Sequence, residues 1–146
     1  MGDEIEIVLL GQPRGKERPR FSKASGAVYT PQKTQSYEAA LKFAAQQVMG
    51  DRPPLEGPLE LDIVAVMPVP KSWPKRKRAD ALANRIRPIS KPDWDNFGKV
   101  LDAGNLVLWI DDSQVVDGRV RKHYGEKPGM WITVRPIAPG AEGAFA

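Results

Sequence analysis

The sequence contains no cysteine and only one histidine, His123. Without cysteine the chain can form neither a disulfide framework nor a thiolate metal site, and the reducing cytoplasm is the expected location. Zinc sites normally use several cysteine and histidine ligands, which this chain lacks. With no cysteine and one histidine, the sequence also offers few residues for a Cys/His or Ser/His nucleophile pair. If the protein binds a metal ion, that ion should be a hard cation held by oxygen ligands.

Long hydrophobic runs are also absent. The opening MGDEIEIVLL begins acidic, and its apolar run is too short for a signal peptide or a membrane helix. We therefore expect a soluble protein that is not exported and has no membrane partner. With 146 residues, of which 41% are hydrophobic, the chain can build one core. We expect one domain over residues 1–136 and a flexible tail over residues 137–146.

Basic residues outnumber acidic ones, 22 against 18, and the pI of about 9.4 favours a polyanionic partner such as nucleic acid. The basic residues occur in four clusters along the chain, although a single cluster is more often a solvated surface than a binding site. The candidate phosphate contacts in these clusters are Arg14, Lys16, Arg18, Arg20, Lys75, Arg76, Lys77, Arg78, Lys91, Arg121 and Lys122.

The first half of the chain predicts one strand and one long helix. Charged and aliphatic residues alternate over residues 4–10, which is typical of a strand. GQPRGKERPRFSKASG has too much glycine, proline and serine for regular structure, and a short strand is expected at Ala27–Tyr29. A helix should begin at Pro31 and end at Gly50. The face predicted to pack on the sheet consists of Tyr37, Leu41, Ala44, Ala45 and Val48.

The second half predicts further strands and two short helices, which together give an α/β (α+β) domain. One helix should begin at Pro74 and run to about Asn84, followed by extended chain over residues 85–91. The other should begin at Asp95. Strands are expected over residues 59–66, 105–110, 114–124 and 130–137, with a turn at residues 125–129.

The stretch KPDWDNFGKVLD, residues 91–102, separates apolar and charged residues when it is read as a helix. At 100° per residue, one stripe consists of Phe97, Val100 and Leu101, and the nearly opposite stripe of Asp95, Lys99 and Asp102. The first stripe should be core. A purely structural explanation of the second stripe is that Asp95 caps the helix and Lys99 pairs with it one turn later.

Asp93 weakens this structural explanation. In extended chain, residues i and i+2 share a face, so Asp93 and Asp95 should project together where the helix begins. Capping needs only one aspartate. Two adjacent carboxylates repel and raise each other's pKa unless a cation lies between them. Mg²⁺ prefers one or two carboxylates with water and phosphate oxygens, and a helix N-terminus favours a nearby phosphate. The pattern therefore favours a metal ion bridging to a phosphate.

A second acidic pair, Asp111 and Asp112, follows a run of apolar residues. In strand geometry the two side chains point to opposite faces, so only one of them should join the first pair. A polar turn between two strands is the alternative explanation. The interval after residue 102 is long enough for the helix to end and a strand to return the chain to the metal.

The segment KPDWDNFGKVLDAGNLVLWIDDSQVVDGRVRKHYGEKPG resembles the central signature of the RusA family of Holliday junction resolvases. GQPRGKERPRF, VYTPQKTQSYE and PKSW are similar to elements seen in many members, so the resemblance covers residues 8 to about 135. AGN at residues 103–105 departs from the usual pattern. The resemblance implies a catalytic and magnesium-binding set, carried over by motif position as Asp93, Asp95 and Asp112 with Lys99 as the catalytic lysine; Asp111 stays open.

The resemblance also implies a mixed β-sheet packed with two to three helices, a homodimer, and a Mg²⁺-dependent endonuclease for which Mn²⁺ is an alternative ion. Such enzymes cut four-way DNA junctions by paired incisions in recombination and repair. Two other interpretations remain open. One is a magnesium nuclease for branched or flap DNA, and the other is a DNA-binding module whose aspartates are structural. The PD-(D/E)xK nuclease pattern fits poorly, because it requires an acidic residue where Phe97 stands.

Overall fold

The computed structural model describes residues 4–140, and its centre is a four-stranded mixed sheet. Three helices accompany the sheet, together with two short 3₁₀ turns at Val100–Gly104 and Asp112–Gln114. The strands and helices in chain order are β1 (Ile5–Leu10), β2 (Arg20–Phe21), β3 (Val28–Tyr29), α1 (Gln32–Met49), β4 (Leu59–Pro68), α2 (Lys75–Leu82), α3 (Trp94–Lys99), β5 (Val115–Gly125) and β6 (Gly129–Pro136). The predicted α+β class with a mixed sheet and two to three helices is confirmed.

The strand order in the main sheet is β1-β6-β4-β5. β4 and β5 are parallel, whereas β6 is antiparallel to both β1 and β4. Parallel neighbours need a long crossover connection, and here residues 69–114 supply it with α2 and α3. This crossover holds the acidic stretch, so the sheet determines where that stretch lies.

Helix α1 covers one face of the sheet. Buried and partly buried residues alternate strictly along β4. In α1, the buried residues of the face toward the sheet recur at every fourth position, from Tyr37 through Leu41 and Ala45 to Met49. The prediction for Val48 was wrong, because Val48 is 38% exposed and Met49 is buried in its place. The last turn of α1 also packs against residues 100–104, which moves the buried stripe by one residue.

The strand predicted over residues 105–110 was wrong. This segment forms only isolated bridges, yet Leu108 and Trp109 are fully buried. The Trp109 indole donates a hydrogen bond of 2.7 Å to the side-chain oxygen of Asn105, which satisfies its N–H inside the core. A short apolar run indicates burial, but by periodicity alone it does not distinguish a strand from an irregular buried segment.

Smaller differences occur at the element ends. Residues 20–21, expected to be irregular, form β2 and pair with β3. Helix α2 ends at Leu82, because Asn84 adopts a positive φ of 63° that terminates the helical conformation. In the predicted tail, the amide of Ile137 donates to the carbonyl of Pro58 at 3.0 Å, and residues 141–146 lie outside the described range. No helix among residues 4–140 combines the length and apolarity required to span a bilayer.

Candidate nucleic-acid and metal site

A cleft of about 1060 Å³ lies between the N-terminal segment 12–20 and the start of α3. Helix α3 is fixed there by its apolar stripe, since Phe97 and Val100 are fully buried and Leu101 is 1% exposed. The prediction for this stripe is confirmed. The residues lining the cleft include Asp93, Asp95 and Lys99 together with Arg14, Lys16, Arg18, Arg20 and Lys91.

The two aspartates lie on either side of the helix start. Asp93 is extended, with φ −68° and ψ 152°, and it is the residue that precedes α3, although its carboxylate makes no capping hydrogen bond. Asp95 lies in the first turn, so the helix begins earlier than predicted and Asp95 is not its cap. Because both residues line the cleft and Asp93 is not needed as a cap, the pair is available to a ligand.

Lys99 lies one turn after Asp95, and its ammonium is 3.3 Å from the Asp95 carboxylate. The two side chains are 63% and 47% exposed. An exposed ion pair of this kind contributes little to stability and is readily exchanged for another partner. The Lys99 ammonium is therefore able to exchange the Asp95 carboxylate for another anionic partner in the cleft.

Lys16 holds the segment 12–20 against α3. Its backbone amide donates to the carbonyl of Asn96 at 2.9 Å, and its ammonium lies 2.7 Å from Glu38 and 3.5 Å from Asp102. Burial lowers the pKa of Lys16, but the hydrogen bond to Glu38 and the charge of Asp102 outweigh burial and leave the pKa raised. Lys16 therefore joins α1, α3 and the wall of the cleft.

Gly15 allows this close approach. A Cβ at residue 15 would lie 2.8 Å from the Cβ of Pro92 and 2.9 Å from the Cβ of Asn96. We expect Gly15→Ala to displace segment 12–20 and to destabilise the protein by about 1–3 kcal/mol, as overpacking of a close contact commonly does. The melting temperature and free energy of unfolding of the purified variant would be compared with wild type.

Gly98→Ala is the matched control, because a Cβ at residue 98 meets nothing within 4 Å. In a helix this change should stabilise the protein by up to about 1 kcal/mol. If Gly15→Ala melts no lower than Gly98→Ala, the close contact between segment 12–20 and α3 has no importance for the position of that segment.

The remaining predicted phosphate contacts lie outside the cleft. The four basic residues of α2 are exposed, and among them Lys77 lies 4.0 Å from the ring centroid of Trp73. Trp73 in turn meets Tyr124 edge to face. Arg121 donates to both carboxylate oxygens of Asp62 at 3.0 Å. Its guanidinium is therefore already occupied by an acidic partner on the neighbouring strand.

Residues 85–91, expected to be extended, are bound to β5 by side chains. Arg87 donates to the carbonyl of Lys122 at 2.8 Å and lies 3.4 Å from Nε2 of His123. Because a guanidinium only donates, Nε2 accepts, and the neutral ring donates from Nδ1 to Asn84 at 3.1 Å. Burial and the charges of Arg87 and Arg121 lower the pKa of His123, which favours this neutral form.

Lys122 extends from β5 to the residues just before Asp93. Its ammonium donates to the carbonyls of Ser90 at 2.7 Å and of Pro92 at 2.9 Å. Burial lowers the pKa of Lys122, and the nearby charge of Asp93 partly opposes this. The sequence reasoning missed this role, although in a strand Lys122 shares a face with Val120 and Tyr124, which signals a partly buried lysine.

Asp111 and Asp112 form part of a separate turn at the start of β5. Asp111 accepts a hydrogen bond of 3.1 Å from the amide of Ser113, and hydrogen bonding to Ser113 lowers the pKa of Asp111. Gln114 completes a capping box and donates to the carbonyls of Leu55 and Gly57. Asp111 thus has a structural role, whereas Asp112 is exposed.

Asp112 is not grouped with Asp93 and Asp95 within one chain. It lies in the turn before β5, whereas Lys122, next to Pro92, lies near the other end of that strand. The same turn contacts residues 100–104, which follow α3 directly. No three acidic or histidine side chains within residues 4–140 are grouped to hold a metal ion. The expected returning strand is not formed, because residues 105–110 are irregular.

The chain is similar to known proteins over most of its length. Residues 11–135 match a family model described as "Endodeoxyribonuclease RusA". The chain is also 36% identical over 143 residues to "Uncharacterized protein YqaN" of Bacillus subtilis (strain 168), an alignment that covers 93% of this chain and 99% of that protein. The matched range contains segment 12–20, α3 and the turn at residues 112–114.

Proposed function

Because the chain belongs to the RusA family of endodeoxyribonucleases, we propose that it is a magnesium-dependent enzyme that resolves four-way DNA junctions by paired symmetric incisions, in recombination and repair. The observation that most supports this is the cleft in which Asp93, Asp95 and Lys99 lie opposite a basic wall. Acidic side chains at the centre of a basic surface are unfavourable for binding a polyanion unless a cation accompanies them.

The donor set in the cleft fits a magnesium ion. Asp93 and Asp95 supply two carboxylates, and Mg²⁺ commonly takes one or two carboxylates with water and phosphate oxygens completing its shell. A bound magnesium ion would polarise the phosphate and lower the pKa of an attacking water. Mn²⁺, which takes the same kind of oxygen ligands, is expected to replace it.

The side chains of the cleft then have distinct roles. Asp93 and Asp95 hold the ion, and Lys99 leaves Asp95 to stabilise the negative charge that develops on the phosphate. Arg14, Arg18 and Lys91 contact the DNA backbone, and such contacts recognise shape rather than sequence. The expected products have 5′-phosphate and 3′-hydroxyl ends.

Asp112 belongs to this mechanism only in a dimer. It is exposed, and within residues 4–140 of one chain it is not grouped with Asp93 and Asp95. We propose that Asp112 of the partner subunit completes each site in a two-fold symmetric homodimer. Two-fold symmetry supplies two equivalent sites, which matches the two symmetric cuts that junction resolution needs.

The experiment that tests this proposal incubates the purified protein with an immobile four-way junction, a flap and a linear duplex of the same sequence, each with and without magnesium. Paired cuts in the four-way junction, dependent on magnesium, are expected. Equal cutting of the flap would favour the broader magnesium nuclease. Junction binding without cutting of any substrate would favour a DNA-binding module with structural aspartates.

A further inference from the structure

The ammonium of Lys122 lies beneath the segment that leads into the cleft. It donates to the Ser90 carbonyl at 2.7 Å and to the Pro92 carbonyl at 2.9 Å, and Pro92 is followed directly by Asp93. Along β5 the side chain lies on the same face as Val120, which packs against the core. Lys122 is thus directed at backbone rather than away from the protein.

These two hydrogen bonds matter because the segment has few others of its own. Pro92 has no backbone N–H, and segment 90–92 lies in neither a helix nor a strand. The Pro92 carbonyl is partly buried and would be costly to leave without a donor, whereas Ser90 is exposed. The two Lys122 bonds together tie this irregular segment to β5. Asp93 directly follows Pro92, whose carbonyl is bonded to Lys122. The Lys122 bonds therefore constrain the backbone from which the Asp93 carboxylate extends.

We infer that Lys122 is a positioning residue that sets the direction of the Asp93 carboxylate in the cleft, and not a contact for DNA phosphates as its place in a basic cluster predicted. This inference rests on the proposed function of the cleft. An ammonium has three N–H donors, and two of them are used inside the protein. Arg121, the preceding residue, is likewise paired with Asp62, so both basic side chains are directed at protein partners.

The test compares Lys122→Met with Lys122→Arg, which keeps the charge and can still donate to both carbonyls. For each protein we would measure junction affinity at several salt concentrations, the single-turnover cleavage rate, and the magnesium concentration for half-maximal rate. Lys122→Met should cleave about 10–100-fold more slowly and need more magnesium, as loss of a group that supports a metal ligand commonly causes. Its junction affinity and salt dependence should match wild type, and Lys122→Arg should recover most of the rate.

Lys127→Met is the matched control, because Lys127 is an exposed lysine in the turn after β5. A phosphate-contact role for Lys122 would instead weaken binding and reduce the salt slope by about one in Lys122→Met, with the cleavage rate at saturation unchanged. That result would overturn the inference. If Lys122→Met does not fold, Lys122→Gln replaces it, since the shorter amide does not reach both carbonyls.

Hydrogen exchange separates failure of this inference from failure of the proposed function. The amides of residues 91 and 93–96 should exchange faster in Lys122→Met than in wild type or Lys127→Met, whether or not the protein is a nuclease. Unchanged exchange there would overturn the positioning role by itself. Wild-type protein that cuts no junction would overturn the proposed function while leaving the exchange result interpretable.

Discussion

Asp93→Asn is expected to abolish junction cleavage and to leave junction binding within about twofold of wild type, since most of that affinity comes from phosphate contacts. Asparagine has the size of aspartate but no charge, and the Asp93 side chain has no capping role that the change would disturb. A bound metal ion would contribute several kcal/mol to charge stabilisation, and a loss of about 4 kcal/mol would slow cleavage roughly a thousandfold.

Single-turnover cleavage and electrophoretic mobility shift would measure the two quantities for Asp93→Asn. Asp51→Asn, which changes an exposed aspartate just after α1, is the matched control and should behave as wild type. If Asp93→Asn still nicks junctions at a rate near that of Asp51→Asn, Asp93 has no part in the mechanism.

Two inactive variants are expected to restore activity to each other. Asp93→Asn and Asp112→Asn should each be inactive as homodimers. A heterodimer of the two holds one site in which Asp93 of one subunit meets Asp112 of the partner subunit, both intact, and one site with both substituted. Since half of a statistical mixture is heterodimeric, the mixture should nick junctions at about a quarter of the wild-type rate.

Co-expression with two different affinity tags would isolate the heterodimer, and strand-specific labels would show that it cuts one strand per junction. If both aspartates of a site came from one chain, each subunit of the heterodimer would have one substituted ligand. The heterodimer would then be as inactive as its parents. That result would contradict the shared site while leaving Asp93 and Asp95 as ligands.

The local features of the acidic stretch were predictable from sequence because they depend on helix periodicity. The buried stripe of Phe97, Val100 and Leu101 follows from the 3.6-residue repeat, and the placement of Asp93 beside Asp95 follows from extended chain meeting a helix. Periodicity reports which face is buried, and it reports this well wherever one element packs against one layer.

The long-range features were not predictable in the same way. The apolar segment at residues 105–110 is buried without being a strand, and this removed the basis for returning Asp112 to the cleft. The sequence also does not distinguish a lysine that is exposed to solvent from a lysine that bonds to protein atoms. Lys16 bonds to Glu38 across 22 positions, and Lys122 bonds to Pro92 across 30. Only the folded chain identifies such partners.

The binding of Mn²⁺, followed by the loss of the free-ion paramagnetic resonance signal, measures most directly whether the cleft carboxylates hold a divalent ion. Wild-type protein with a junction present should show saturable binding that Mg²⁺ displaces, and Asp93→Asn should lose that binding while Asp51→Asn keeps it. Equal binding of Mn²⁺ by wild type and Asp93→Asn would contradict the metal site on which the proposed mechanism depends.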